Sequence, residues 1–209
     1  MKIDDLFNSK PLKLDNITCH SGGAIGADFF FETIGEEFGV KTKAYSYRTK
    51  SHVSPNKVEI SDQDYEDGVV QITKANKTLG RFGIHKYMSL LARNWAQVKY
   101  SDEVFAIGTI VEPGKKCSKG YYNKSDLQVV DGGTGYCIQM SINNYRMVYV
   151  FDQDKDKWFR WSYTSLKFEL CDTLPTISSE NFAGVGTRKI KTNGIKAIED
   201  LYKRTFNQK

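Results

Sequence analysis

The sequence predicts an α/β fold: one Rossmann-like domain in which a mostly parallel sheet is flanked by helices, with a small β-hairpin as decoration. Three observations predict it. A strand, glycine turn, helix, strand pattern occurs twice, over residues 17–47 and 127–151. The run Glu103 to Val111 is almost continuously apolar, as expected of a strand covered on both faces of a parallel sheet. Tyr87, Leu90, Leu91, Asn94, Trp95 and Val98 fall on one face of a 3.6-residue period, which predicts an amphipathic helix with Asn94 as its polar exception.

The elements follow in order. Residues 1–15 read as a lead-in segment and 16–209 as a single domain. Ile17 to His20 is a short strand that enters the turn Ser21-Gly22-Gly23-Ala24-Ile25-Gly26. A helix follows from Gly26 to Phe38, closed by Gly39 at the position where glycine ends helices. Val40 to Tyr47 alternates and reads as the second strand; residues 48–61 read as a loop. Asp62 to Leu79 is helical, with Ser61 as N-cap and Asp64 at the capping-box place, until Gly80-Arg81-Phe82-Gly83 interrupts. After the amphipathic helix and the apolar strand, residues 112–126 form a Lys- and Gly-rich loop. Leu127 to Val130 is a strand leading into Asp131-Gly132-Gly133-Thr134-Gly135, a helix runs to Asn143, and Met147 to Phe151 is the next strand. Lys157 to Trp161 belongs to the small hairpin, Phe182 to Thr187 is a final strand, and Asn193 to Phe206 a terminal helix.

The bulk numbers bound the function. A chain of 209 residues builds one sizeable core rather than two domains. Its net charge of +5 is a mild bias, suited to an anionic small ligand and far from the dense basic blocks of a dedicated DNA binder. Lys115, Lys116, Lys119 and Lys124 with the aromatics would be needed for single-strand nucleic-acid binding, a reading set below the others, and no nucleic-acid partner is expected. The cysteines Cys19, Cys117, Cys137 and Cys171 form no C-x-x-C pair, and no metal spacing links His20, His52 and His85, so no metal and no cofactor are expected. Reduced thiols, a polar N-terminal stretch and the lack of a long apolar run predict a cytoplasmic protein with no membrane partner.

Glycine turns between strand and helix suit phosphate. The backbone approaches a ligand closely there, and amides at a helix N-terminus aim partial positive charge at one spot. The candidate ligand-binding residues of the first turn are His20, Ser21, Gly22, Gly23 and Asp28, the last suited to a ribose hydroxyl. Those of the second are Asp131, Gly132, Gly133, Thr134, Gly135 and Gln139. Thr187 and Arg188 end a third glycine stretch, where a guanidinium can clamp a phosphate. Arg93 and Asn94 join them from the amphipathic helix. In an open parallel sheet such turns gather at the carboxyl edge, where ligands bind.

HSGGAIGAD, RNWAQVKYSDEVFAIG, VDGGTGYCIQ and FAGVGTR, in that order, resemble the SLOG superfamily, Rossmann-like proteins related to the LOG phosphoribohydrolases and to DprA. The resemblance spans most of residues 16–200, and its style is that of small phage-carried members. It implies binding of a nucleotide or nucleotide-derived signal, of the cyclic ADP-ribose type sensed by other members. For a free-standing domain it implies a homo-oligomer that sequesters the signal as an anti-defence sponge. The LOG signature P-G-G-x-G-T-x-x-E meets Asp131-Gly-Gly-Thr-Gly-Tyr-Cys-Ile-Gln139 here. The glycines match, but Tyr136 stands for the threonine and Gln139 for the glutamate, and a glutamine neither takes a proton nor stabilises a cationic ribose. The expectation is therefore a binder with no catalytic residue. The alternative is a LOG-like nucleotide N-glycosidase that takes its carboxylate from Asp28 or Asp131.

Overall fold

A computed structural model describes residues 12–49 and 52–207; of the expected lead-in segment, residues 1–11 lie outside the described residues. The chain folds as a Rossmann-like α/β domain. Its strands are β1 (Thr18–Ser21), β2 (Lys41–Ser46), β3 (Lys57–Glu59), β4 (Glu103–Gly108), β5 (Ile110–Val111), β6 (Val129–Val130), β7 (Met147–Asp152), β8 (Lys157–Ser162), β9 (Lys167–Leu170) and β10 (Asn181–Gly186). Its helices are α1 (Ala27–Glu37), α2 (Asp62–Leu79), α3 (Met88–Ala92), α4 (Asn94–Lys99), α5 (Thr134–Asn143) and α6 (Thr192–Phe206). No helix among the described residues is long and apolar enough to cross a membrane.

Eight strands form one sheet in the order β3-β2-β1-β10-β4-β7-β8-β9. The pairs from β3 through β7 are parallel, and β8 and β9 add an antiparallel edge. The last strand thus fills the centre: β10 lies between β1 and β4. There the strand order changes direction, and the carboxyl ends of Ser21, Gly108 and Gly186 meet.

Each face of the sheet has its own core. In β4, Val104 and Ala106 join a cluster with α2, α4 and α5, including Ile72, Val98 and Ile138, while Phe105 and Ile107 join α1 and α6 through Phe31, Ile198 and Leu201. All six β4 residues are buried, which is why the run lacks alternation. The third glycine stretch serves this packing. A Cβ on Gly184 would stand 2.5 Å from Cγ of Phe31, and one on Gly186 would stand 2.6 Å from Cβ of Ala27, so these glycines let α1 lie close on β10.

Four expectations need correction. The apolar run ends at Gly108; beyond Thr109 the chain leaves the sheet, and β5 pairs antiparallel with β6 in a separate two-stranded sheet. The second strand and glycine turn therefore do not belong to the parallel sheet, although Asp131 N–H donates to Thr109 O at 3.0 Å and hangs the turn on the end of β4. The amphipathic segment is not one helix: a 3-10 turn (Ile84–Tyr87) precedes α3, and Arg93 separates α3 from α4. The break coincides with a close crossing, where a Cβ on Gly68 of α2 would stand 3.0 Å from Cα of Ala92. The expected hairpin is present: β8 and β9 pair antiparallel and decorate the edge of the main sheet. The expected loop 48–61 also holds the edge strand β3, which reads as polar because all three of its residues are exposed.

Candidate functional site

The first glycine turn closes over itself. The Ser21 hydroxyl donates to Glu32 Oε1 at 2.5 Å and accepts from Gly23 N–H at 3.2 Å, so Ser21 is spent within the turn. The His52 ring lies against Gly23, and Val53 N–H donates to Gly23 O at 3.1 Å, so the segment after β2 straps the turn. Gly23 (φ +60°) and Gly26 (φ +107°) sit in backbone regions that favour glycine.

Behind this turn two charges are buried. Asp28 is 7% exposed and Arg93 5% exposed. Asp28 Oδ1 accepts from Gly186 N–H at 3.1 Å, and Arg93 Nη1 donates to Tyr45 O at 2.8 Å. The two side chains form no direct ion pair among the described residues. They flank the space above Gly22, where a Cβ would stand 2.6 Å from Asp28 Oδ2 and 2.8 Å from Arg93 Nη1. Burial pushes the Asp28 carboxyl above its ordinary range, opposed by the Arg93 charge and by the amides of Gly186, Ala24 and Gly22. Burial likewise lowers the Arg93 guanidinium, opposed by Asp28 and reinforced by Arg188. Arg93 Nε–H is buried without a hydrogen-bond partner among the described residues.

The end of β10 completes this corner. Thr187 O accepts Ala27 N–H at 3.0 Å, and Thr187 Oγ1 accepts Lys189 N–H at 3.1 Å. Arg188 is exposed, close enough to Arg93 for their charges to repel. The start of α5 reaches the same place. The buried Cys137 thiol is pushed up by burial and by Asp28 and lowered by Arg93. Gly22, Asp28, Arg93, Arg188 and the first turns of α5 thus converge at the reversal point of the sheet.

The second glycine turn is arranged differently. Asp131 Oδ1 accepts Gly132 N–H at 2.7 Å and Oδ2 accepts Ser118 N–H at 3.0 Å; these bonds and the Arg81 charge hold its carboxyl below the ordinary range despite burial. Arg81 donates to Gly132 O and, at 2.7 Å, to Val130 O, and its guanidinium lies over Tyr121 and Tyr136. Gly133 is exposed, Thr134 opens α5 with half-buried surface, and Gly135 is packed against Val130 O and the Arg81 guanidinium.

Other expected residues lie elsewhere. His20 points to the face opposite Ser21: its Nδ1 meets Tyr45 Oη at 2.8 Å and its Nε2 meets Asn181 Oδ1 at 3.1 Å, in a cleft away from Gly22 and Asp28. Asn94 is the first residue of α4 and only half-buried; the buried polar side chains of this segment are Arg93 and Gln97. Gln139 donates to Asn143 Oδ1 at 3.0 Å, one turn along its own helix. Arg81 and His52 were not among the expected residues. Arg81 carried a signal, a lone cation bracketed by Gly80 and Gly83 just before a helical segment. His52 carried none, since only the fold brings it to Gly23.

Comparison with protein-family models, with curated proteins and with solved structures finds no match for this chain.

Proposed function

We propose that the chain binds an anionic, nucleotide-derived small molecule at the reversal point of the sheet, with a phosphate held by Arg93 and Arg188 beside Gly22, and that it holds this ligand without cleaving it. One observation carries the reading: Arg93 is a buried guanidinium packed beside the Gly22 backbone, and its Nε–H has no hydrogen-bond partner among the described residues. Leaving such a donor unpaired costs about 1–3 kcal/mol, and an anion would satisfy it. Arg188 marks the solvent side. The order of glycine motifs that resembles the SLOG superfamily supports a nucleotide as the source of the anion, and with it a phage-type role of capturing a cyclic ADP-ribose-like signal.

The second reading, N-glycosidic hydrolysis, is favoured by Asp28, a buried carboxyl raised toward the range of a general acid beside the same position. Both are tested by incubating the protein with ADP-ribose, its cyclic isomers and AMP, followed by mass spectrometry of bound and free fractions. Capture predicts one ligand per chain, returned unchanged on denaturation, with affinity reduced roughly tenfold in Arg188→Gln, the size of one charge-assisted contact. Free base accumulating beyond one per chain, and lost in Asp28→Asn, would replace capture by turnover. If no compound of the panel binds, both readings fail.

A further inference from the structure

The fold lays the lysine-rich loop 112–126 against the segment 80–88 that links α2 to α3. Two residues tie them down. Arg81 donates to the carbonyls of Val130 and Gly132 and lies 5.5 Å over the Tyr121 ring, and Asp131 accepts the Ser118 amide at 3.0 Å. Within the loop, Cys117 N–H donates to Tyr121 O at 2.7 Å, and Lys116 bridges antiparallel to Tyr122. The loop thus has a fixed inner side, with Cys117 and Asn123 buried and Tyr121 half-buried.

Its outer side carries rings and charge. Tyr122 and Lys124 flank the buried Asn123 and are both exposed, as alternation along an extended chain requires. Lys124 Nζ lies 5.5 Å from the centroid of Phe82, and Lys119 Nζ lies 5.4 Å from that of Tyr87. The rings are open: Phe82 is 88% exposed, Tyr122 57% and Tyr87 53%. Phe82 in particular forgoes the gain of burial.

The charges are unspent. Residues 81–88 hold no acid. Lys86, Lys115, Lys116, Lys119 and Lys124 are exposed and form no ion pair among the described residues, while Glu112 is taken by Lys155 and Gln128. Asp126 is the exposed acid of the loop. A net charge of +5 is mild when averaged over the chain, and the expectation of no nucleic-acid partner rests on that average. The fold instead gathers unspent lysines around three open rings.

The pairing of ring with ammonium selects among anionic partners. A single-stranded nucleic acid presents a flat base and a negative charge in every residue, so a base can stack on an open ring while its phosphate meets the neighbouring lysine. A duplex hides its base faces. An anionic membrane or an acidic peptide offers the charge without a regular flat face.

We propose that the surface formed by residues 81–87 and 115–124 binds single-stranded nucleic acid, separately from the glycine corner. Bases stack on Phe82, Tyr87 and Tyr122, and phosphates meet Lys119, Lys124 and their neighbours.

Fluorescence anisotropy of a labelled oligothymidine strand with the full chain tests this. Unlabelled strand, its duplex with oligodeoxyadenylate, polyglutamate, and vesicles of phosphatidylcholine with phosphatidylserine serve as competitors at equal charge. Saturable binding is expected, displaced best by the unlabelled strand. It should weaken roughly fiftyfold between about 50 and 200 mM salt if four lysines each release one counterion. Replacing Lys119→Gln and Lys124→Gln together should lower the slope of log affinity against log salt by about 1.4, or about 0.7 per cation. Phe82→Ala should weaken binding at least about fivefold and leave that slope unchanged. All three side chains are exposed, so these variants should keep the parent's circular dichroism and melting temperature. The proposal is overturned if the strand does not bind, if duplex, polyglutamate or vesicles displace it equally well, or if either variant binds as the parent does. Loss of binding in Arg188→Gln instead would also overturn it, by assigning the strand to the glycine corner.

Discussion

The two glycine turns look alike in sequence and are opposites in electrostatics. At Ser21–Gly26 the turn presents its amides inward, and a carboxylate from the following helix, Asp28, takes up the Gly186 N–H with Arg93 nearby. At Asp131–Gly135 the anion comes from the turn itself, since Asp131 accepts Gly132 N–H, and the carbonyls of Val130 and Gly132 are held by Arg81. One turn therefore faces a buried position with an unspent donor. The other is a latch in which Asp131 takes up the Gly132 amide and Arg81 takes up the Val130 and Gly132 carbonyls. The glycine pattern reports that backbone comes close to something. It does not report whether that something is a ligand, a carboxylate or an arginine.

The sharpest way to break the comparison is alanine at the first glycine of each turn. Gly22→Ala would put a methyl group 2.6 Å from Asp28 Oδ2 and 2.8 Å from Arg93 Nη1, so two buried charged side chains would have to shift. A loss of about 2–3 kcal/mol in urea unfolding is expected, together with loss of any ligand binding at this corner. Gly132→Ala meets nothing within 4 Å and bears only the cost of its φ of +66°, so about 1 kcal/mol is expected. Equal losses would show that the two turns are built alike after all.

A second effect is expected at the latch. Arg81→Ala frees two carbonyls and removes the cation over Tyr121 and Tyr136, which should cost about 1.5–3 kcal/mol by the same unfolding measurement. Ligand binding at Arg93 should persist. If Arg81→Ala abolished that binding without unfolding the chain, the second turn would be part of the site.

The smallest expected effect is a pH dependence that separates His20 from the glycine corner. Burial lowers the His20 imidazole below its ordinary value of 6.5, with the Asn181 hydrogen bond opposing. A depressed pKa means that the fold favours the neutral ring. His20 therefore contributes stability that is present above pH 6.5 and is lost as pH falls through its lowered pKa. His20→Gln should flatten the fall in melting temperature between neutral and mildly acid pH, while Arg188→Gln should leave that profile unchanged. A wild-type profile that is already flat would contradict the buried neutral imidazole.

Much of the fold was legible in the sequence. The spans of α1, α2 and α5 were readable from a cap or glycine at an end, and that of α6 from its apolar face alone; Ser61 does accept Asp64 N–H at 3.0 Å. β4 was legible from its apolar run, although the run overshot into β5, because a strand that leaves the sheet for a smaller one keeps its apolar side chains. The site was legible in part. Gly22, Asp28, Arg93 and Arg188 were all among the expected residues, and the fold gathers them. His20 was assigned to the same corner from its place beside Ser21. Alternation along β1 sends neighbouring side chains to opposite faces, so adjacency in sequence separated these two in space.

The sequence by itself determined the class of fold, the boundaries of most helices and the presence of close backbone approaches, because these follow from local periodicity and from residues with special backbone freedom. The strand order, with β10 inserted between β1 and β4, came only from the tertiary structure. So did the exit of β5 and β6 from the main sheet and the partner of each glycine turn. Those depend on which surfaces bury one another across long sequence separations, and one chain's local pattern carries no record of its partner.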